Sequence, residues 1–167
     1  MNPVKLLVAL FCLIPISAVA LTSDKEQPIQ IEADRLDIDE ARHISHYQGN
    51  VEMTQGSLNF SADSIIFHFD ENNDLQWLQL EGQPAHFKQL NDDQTAVTGS
   101  ALRMNYYQTK SLLELRGQAR FQSVQDTIES ESITINTDTD ALQAGGETGK
   151  GRVRMLIQPK NSAKNNE

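Results

Sequence analysis

Cysteine is almost absent from this sequence, because Cys12 is the only one among 167 residues. A single thiol cannot form an internal disulfide, and Cys12 lies in a segment that we expect to be cleaved off. Small exported domains are often stapled by disulfides. Without that framework, this chain must rely on its apolar core or on assembly.

Long apolar runs are also scarce, and only residues 6–16, after the lone basic residue Lys5, form one. This run is too short to span a bilayer. The small residues at 17–20 fit a signal-peptide cleavage site. We therefore expect residues 1–20 to be a cleaved signal peptide, and an export signal without a cysteine framework indicates a bacterial periplasm.

The remaining chain has the length of one domain, which we place at residues 21–158. The polar stretch after Pro159 predicts a disordered tail at residues 159–167.

Basic residues are outnumbered, with 14 against 23 acidic ones and a formal net charge of -9. A net acidic body argues against nucleic acid as a partner, because phosphates require a basic surface. The C-terminal end is the exception, since it carries Lys150, Arg152, Arg154, Lys160 and Lys164. This end either meets an acidic partner or is a solvated terminus.

A short pattern recurs four times: an apolar residue, a small residue two positions on, a polar residue directly after it, and two further apolar residues. The copies are residues 31–38, 60–67, 97–104 and 128–135. Each copy shifts the polar–apolar alternation by one residue, which turns core side chains outward unless a bulge or corner absorbs the shift. We expect corners at four small–polar pairs, Ala33-Asp34, Ala62-Asp63, Gly99-Ser100 and Ser130-Glu131.

A glycine motif interleaves with these corners, and its glycines Gly49, Gly82, Gly117 and Gly151 lie 33, 35 and 34 residues apart. Turn signals separate the motifs, and no window has a convincing helical period. The pattern predicts an all-β protein of short antiparallel strands, stacked as two facing sheets that fold at the corners. The terminal strands, at residues 29–33 and 153–157, would then have free edges.

No cluster of chemistry-bearing residues marks an active site. Four histidines are present, but His43 and His46 fall on opposite faces of a strand, and His68 and His86 are expected to face solvent, so we predict no metal site. The corner carboxylates Asp34, Asp63 and Glu131 would suit either calcium or a backbone cap. Ser100 in the third copy favours the cap.

A polysaccharide-active enzyme on a β-repeat scaffold is the alternative interpretation, and it needs two carboxyl groups in one cleft. Nothing in the sequence marks such a pair, and nucleophile and phosphate-binding motifs are missing. We therefore expect no enzyme and no cofactor.

The inward face is apolar, and it is either a closed core or partly an open groove. We expect these residues on it: Ile29, Ile31, Leu36, Ile38, Val51, Met53, Leu58, Phe60, Ile65, Phe67, Phe87, Leu102, Met104, Tyr106, Phe121, Ile133 and Ile135. Flexible methionines such as Met53, Met104 and Met155 can repack around variable chains. Tyr106 can keep its hydroxyl in water at a rim.

The segments QPIQIEAD, YQGNVEMTQGSLNFSAD, EGQPAHFKQ and LRGQARFQ, in this order behind an export signal, resemble the OstA-like family of periplasmic lipopolysaccharide-transport bridge proteins. The resemblance covers nearly all of residues 21–157. It implies a twisted β-jellyroll with an apolar interior open at its ends, which carries lipid A by its acyl chains. It also implies head-to-tail self-association into a filament between the two membranes.

Two further partners follow from the resemblance. The N-terminal edge (Ile29, Ile31) would dock on the membrane-anchored jellyroll of the inner-membrane transport complex, and the C-terminal edge (Val153, Met155) on the jellyroll of the outer-membrane translocon. Lipid-contacting positions of the family fall on Ile29, Phe87 and Tyr106, and others on Lys25 and Gln108. With the inward residues Met53, Phe60, Met104 and Phe121, the first three form the expected lipid-binding set.

Overall fold

A computed structural model of the chain describes residues 24–91, 93–146 and 151–158. The described part is almost entirely β-structure, with two short 3-10 turns at Asp24–Glu26 and Gln108–Lys110. Its strands are β1 (Ile29–Glu32), β2 (Arg35–Asp39), β3 (Ile44–Gln55), β4 (Leu58–Phe69), β5 (Leu75–Leu90), β6 (Ala96–Tyr107), β7 (Leu112–Gln122), β8 (Asp126–Asn136), β9 (Leu142–Ala144) and β10 (Arg154–Ile157).

All ten strands belong to one antiparallel sheet, in which β3 to β8 follow one another as a meander. Each free edge is split in two, because β1 and β2 both pair with β3, and β9 and β10 both pair with β8. The all-β prediction and its stacked antiparallel strands are confirmed. The expected two facing sheets are the two halves of this single sheet.

The sheet folds along one line, because the register shifts at the same level in each long strand. The shifts fall at 48/51 on β3, 61/64 on β4, 81/85 on β5, 100/103 on β6 and 116/119 on β7. Gly49 and Gly117 both have φ 77° at this line, a conformation that side chains other than glycine's rarely adopt. The small and polar residues at Ala62-Asp63 and Ser130-Glu131 lie at this level, as predicted.

The third corner was predicted at the wrong pair, Gly99-Ser100. Ser100 is still paired with His86 and Arg120, so the ladder continues through it. The register breaks after Ala101 in the pairing with β5 and after Ser100 in the pairing with β7. Leu102 is unpaired on both sides and is therefore the corner residue. Leu102, predicted to face inward, is therefore 40% exposed, and it lies against Gly117.

The fold line divides the sheet into two leaves. Leaf A contains β1, β10 and the half of each long strand that carries the inward row Ile31, Met53, Phe60, Phe87, Gly99, Phe121, Ile128 and Met155. Leaf B contains β2, β9 and the other halves, with the inward row Leu36, Tyr47, Ile65, Leu80, Met104, Leu115, Ile133 and Ala144. Both rows run unbroken from one edge of the sheet to the other.

The core lies between the leaves and is apolar. Near the fold line Ile65, Leu80, Met104, Leu115 and Ile133 are fully buried. Leu36 and Ile38, also predicted on the inward face, are 47% and 62% exposed, because they end their rows at a free edge where no strand follows.

The C-terminal edge also exposes large apolar side chains. Met155, Leu156 and Ile157 are more than half exposed, and Val153, expected to begin the strand, precedes β10 by one residue. The predicted signal peptide and tail, residues 1–20 and 159–167, lie outside the described residues. Among the described residues, no helix is long and apolar enough to cross a membrane.

Candidate functional site

A cavity lies between the two leaves at the seam, the opening between the leaf margins that face away from the fold line. Its volume is about 170 Å³, and most of its lining is apolar. The lining consists of Asp24, Ile29, Met53, Gln55, Leu58, Phe60, Leu75, Leu78, Phe87, Gln89, Tyr106, Gln108, Leu113 and Thr137. Both leaves contribute, so the width of the cavity depends on how far the leaves are apart.

Aromatic side chains form the leaf A wall of this cavity and extend beyond it. The ring of Phe87 lies 6.2 Å from that of Phe60 and 6.5 Å from that of Phe121, measured between centroids. Such tilted pairs stabilise by more than their buried area. Opposite Phe87 in the ladder is Gly99, where a Cβ would overlap the Phe87 ring. Because Gly99 has no side chain, the ring of Phe87 can occupy this space.

The expected lipid-binding residues divide into two groups. Ile29, Met53, Phe60, Phe87 and Tyr106 line the cavity together. Met104, which is fully buried, lies deeper, on the leaf B row next to the fold line. Phe121 is half-buried and continues the leaf A row toward the C-terminal edge, against Phe87.

The polar family positions also have a place in the structure. Gln108 lines the cavity on the leaf B margin, near Tyr106, which is half-buried as expected for a rim residue. The side chain of Lys25 lies outside the described residues.

An acidic residue that the sequence analysis did not single out lies at the mouth of the cavity. The Asp24 carboxylate accepts hydrogen bonds from the Ser57 amide (2.8 Å), the Ser57 hydroxyl (2.6 Å) and the Gln89 side chain (3.1 Å). Burial raises the pKa of Asp24, but these donors favour its charged form and hold the pKa below the ordinary value of 3.8. These partners are 33 and 65 residues away, so no local pattern marks them.

A second hydrogen bond holds the same N-terminal segment in place. The side-chain amide of Gln55 donates to the backbone carbonyl of Gln27 at 3.0 Å. Gln55 is the register partner of Ile29, and Gln89 is that of Val97, an inward position of leaf A. Residues 24–28 therefore run along the inner margin of the seam, over the ends of β3, β4 and β5.

The histidines do not come together. His86 is exposed as predicted. His68 lies on the outward face, opposite Phe67, as predicted, but it is half-buried because it stacks on Trp77 with ring centroids 5.3 Å apart. His46 contacts the Ser64 hydroxyl at 2.8 Å, and His43 lies in a turn with φ 55°. Across the described residues, no three His, Cys, Asp or Glu side chains cluster in a way that would hold a metal ion.

The corner carboxylate Asp34 bonds to a side chain rather than to the backbone amide that a cap would use. It accepts a hydrogen bond from the side-chain amide of Asn50 at 2.8 Å, and the backbone N–H of Asp34 donates to the Gly49 carbonyl at 3.0 Å. These bonds join β1–β2 to β3 across the fold line. In the cavity lining, Asp24 is the one carboxylate that the described residues contribute, so the two-carboxyl arrangement of a glycosidase is not formed there.

A single bent sheet with an apolar interior and two free edges defines a β-jellyroll with an apolar cavity between its leaves. The family model described as LptA/(LptD N-terminal domain) LPS transport protein matches residues 30–141. The chain belongs to this family of lipopolysaccharide-transport proteins.

Relatives from two organisms cover most of the chain. It is 33% identical over 153 residues to the lipopolysaccharide export system protein LptH of Pseudomonas aeruginosa, with 87% of each chain covered. It is 31% identical over 153 residues to the lipopolysaccharide export system protein LptA of Escherichia coli, covering 91% of this chain and 83% of that protein.

A solved structure shows the same architecture. The crystal structure of LptH, described as the LptA-homologous periplasmic component of the lipopolysaccharide transport device of P. aeruginosa, matches with a TM-score of 0.75 at 30% identity. The match covers 83% of this chain and 100% of that one. This agreement confirms the resemblance and the jellyroll fold expected from the sequence motifs.

Proposed function

We propose that this protein is a periplasmic lipopolysaccharide carrier, which holds the acyl chains of lipid A between its leaves and bridges the inner and outer membranes by end-to-end stacking. The observation that carries the proposal is the unbroken inward row from Ile31 at one edge to Met155 at the other. The row ends in a half-buried apolar side chain, Ile31, at one edge and an exposed one, Met155, at the other, so it can continue into the next protomer. The names of the relatives support lipopolysaccharide as the cargo.

Acyl chains suit the interior for energetic reasons. Each methylene removed from water contributes about 0.8 kcal/mol, so several chains would bind tightly. Transport requires that successive positions be of nearly equal free energy, and repeated rows of similar side chains provide this. The protein then moves lipid without chemical change to it, while the driving energy is supplied elsewhere in the transport system.

The expected lipid-binding residues keep distinct roles in this proposal. Ile29 and Tyr106 meet the acyl chains at the seam, while Phe87, Met53 and Phe60 form the wall behind them. Met104 lies deeper in the interior, on the leaf B row. Phe121 contacts the acyl chains further along leaf A, toward the C-terminal edge.

The size of the cavity sets a condition on binding. A cavity of about 170 Å³ is close to one that holds a single benzene and smaller than the roughly 300–1,000 Å³ of ordinary ligand sites. Before a lipid with several acyl chains enters, either the two leaves must move apart or the residues that close the seam must move away from it.

Strand polarity supports head-to-tail self-association. Because neighbouring strands alternate in direction from β1 to β10, a second copy stacked in the same orientation places its β1 antiparallel to β10 of the first. Continuing the ladder register sets Met155 beside Ile31 of the next copy, and Arg154 beside Glu32 on the outward face. Apolar residues then meet inside, and opposite charges meet outside.

The same edges serve the two membrane partners. The N-terminal edge docks on the jellyroll of the inner-membrane complex through Ile29 and Ile31, and the C-terminal edge on the translocon jellyroll through Val153 and Met155. Exposed edge strands invite such pairing. Residues 1–20 direct export and are removed, residues 21–158 form the carrier domain, and residues 159–167 are a polar tail.

Site-specific photo-crosslinking tests the carrier function. A crosslinking residue at Phe87, which is buried at the cavity, should capture lipopolysaccharide in the purified mature protein, and free lipid A should compete. His86 is the matched control, because it is the adjacent residue but is exposed on the opposite face. Equal crosslinking at both positions, or none at Phe87 in folded protein, would refute an acyl-binding interior.

A further inference from the structure

The N-terminal segment before β1 closes part of the seam. We call residues 24–28 the strap; its contacts with Gln55, Ser57 and Gln89 place it across the ends of three successive strands. These glutamines occupy inward positions of leaf A, so the strap lies on the inside of the seam margin. Asp24 and, just after the strap, Ile29 both line the cavity.

The strap is held differently from the strand that follows it. From Ile29 to Glu32 the chain is paired in register with β3. Before Ile29 side-chain hydrogen bonds join the strap to the sheet, and Asp24 makes three of them. Each can be exchanged for a bond to water at modest net cost. The strap can therefore detach while β1 and the sheet remain intact.

The fit of Asp24 is tight, which indicates that the latched position is specific. Gly56, with φ 60°, is the turn residue next to Ser57, and a Cβ on it would overlap the Asp24 carboxylate. The Ser57 hydroxyl that donates to Asp24 also accepts from the Leu90 amide at 3.1 Å. Asp24 thus joins the β3–β4 turn and the end of β5 in one hydrogen-bonded cluster.

We propose that the strap is a latch on the acyl-chain groove, closed by the Asp24 carboxylate on Ser57 and Gln89 and released when a lipid enters. The small latched cavity is the reason that something must move, and the strap is the element at its mouth whose release leaves the strand ladder unbroken. The identity of the ligand rests on the proposed function. The latch itself is a property of the protein without lipid.

The first test therefore uses no lipid. Leu58, half-buried in the cavity lining, is replaced by cysteine in the mature protein, which has no other thiol once residues 1–20 are removed. The rate at which an apolar maleimide labels this cysteine reports the open population. Asp24→Ala removes all three hydrogen bonds that the Asp24 carboxylate accepts, so it should accelerate labelling about tenfold or more.

Two variants separate the latch from general loosening. Glu26→Ala removes the same charge from the same turn at an exposed position, and should leave the labelling rate unchanged. Ser57→Ala keeps the backbone amide but removes the hydroxyl donor, and should give an intermediate rate. Hydrogen exchange at the Ser57 amide should accelerate in Asp24→Ala but not in Glu26→Ala. Equal rates in all variants would overturn the latch.

A second arm distinguishes this proposal from the carrier function. The association rate of fluorescent lipid A should rise in Asp24→Ala by the factor seen in labelling. If labelling accelerates while neither protein binds lipid A, the latch stands and the carrier function fails. If lipid A binds both proteins at the same rate and labelling is unchanged, the carrier function stands and the latch is wrong.

Discussion

Phe87 occupies the space that a side chain on Gly99 would fill. The two residues are directly paired across β5 and β6, and a Cβ on Gly99 would overlap the Phe87 ring. The glycine is therefore part of the aromatic wall, although it contributes no side chain to it.

The first prediction concerns this pair. Gly99→Ala should lower the free energy of unfolding by about 1–3 kcal/mol, because it overpacks a buried position. Denaturant unfolding measures the change. Phe87→Leu in the Gly99→Ala background should recover part of the loss, since contacting residues couple. Additive losses in the double variant would contradict the proposed overlap, and Thr98→Ala serves as the neighbouring control.

The second prediction compares two leucines. Leu115 is fully buried, so Leu115→Ala should lower the free energy of unfolding by about 2–5 kcal/mol. Leu102 lies at the third corner and is 40% exposed, so Leu102→Ala should lower the free energy of unfolding by less than about 1 kcal/mol. If thermal or denaturant unfolding shows equal losses of stability for the two variants, Leu102 is a core residue, as the sequence pattern predicted.

The third prediction tests the register between copies. Because Arg154 and Glu32 end the same outward row, Arg154→Glu should weaken self-association about fivefold, as should Glu32→Arg. A mixture of the two variants, or the double variant, should restore it. Sedimentation velocity at low salt measures the change in self-association, and the change must become smaller as salt screens the charges.

The control is Lys88→Glu, because Lys88 lies on the outward face away from both edges. If Lys88→Glu weakens assembly equally, net charge rather than register is responsible.

The fourth prediction concerns acid. The pKa of Asp24 is lower in the folded chain than its usual 3.8, so its charged form stabilises the fold above that value. Wild type should therefore exceed Asp24→Asn in stability at neutral pH. This difference should close as pH falls below 3.8 toward the depressed folded pKa. A difference that persists unchanged at the lowest pH would show that the charge of Asp24 is not what stabilises the strap.

Most of the fold could be predicted, because corners, glycines and alternation recur at regular intervals in the sequence. The third corner was misplaced by two residues for a physical reason. Moving a strand by two residues leaves every side chain on its face, so alternation alone cannot separate Gly99-Ser100 from Ala101-Leu102. Cross-strand pairing settles it, since Ala101 lies opposite Ala85.

The site was predictable only in its apolar part. Phe60, Phe87 and Tyr106 follow from alternation, whereas the contacts of Asp24 join residues far apart in sequence whose types are common in solvated turns. Likewise, alternation places Leu36 and Ile38 inward but cannot reveal that they stand at a free edge. Their exposure arises from the order of the strands, which a single sequence does not encode locally.

The fold line has a mechanical consequence. Along it the register shifts in all five neighbouring pairs of the long strands β3 to β8, so the two leaves meet like the boards of a book at its spine. One angle then governs the gap along the whole molecule. A jellyroll of this kind can adjust to lipids with different numbers of acyl chains by opening wider, without rearranging a single strand pair.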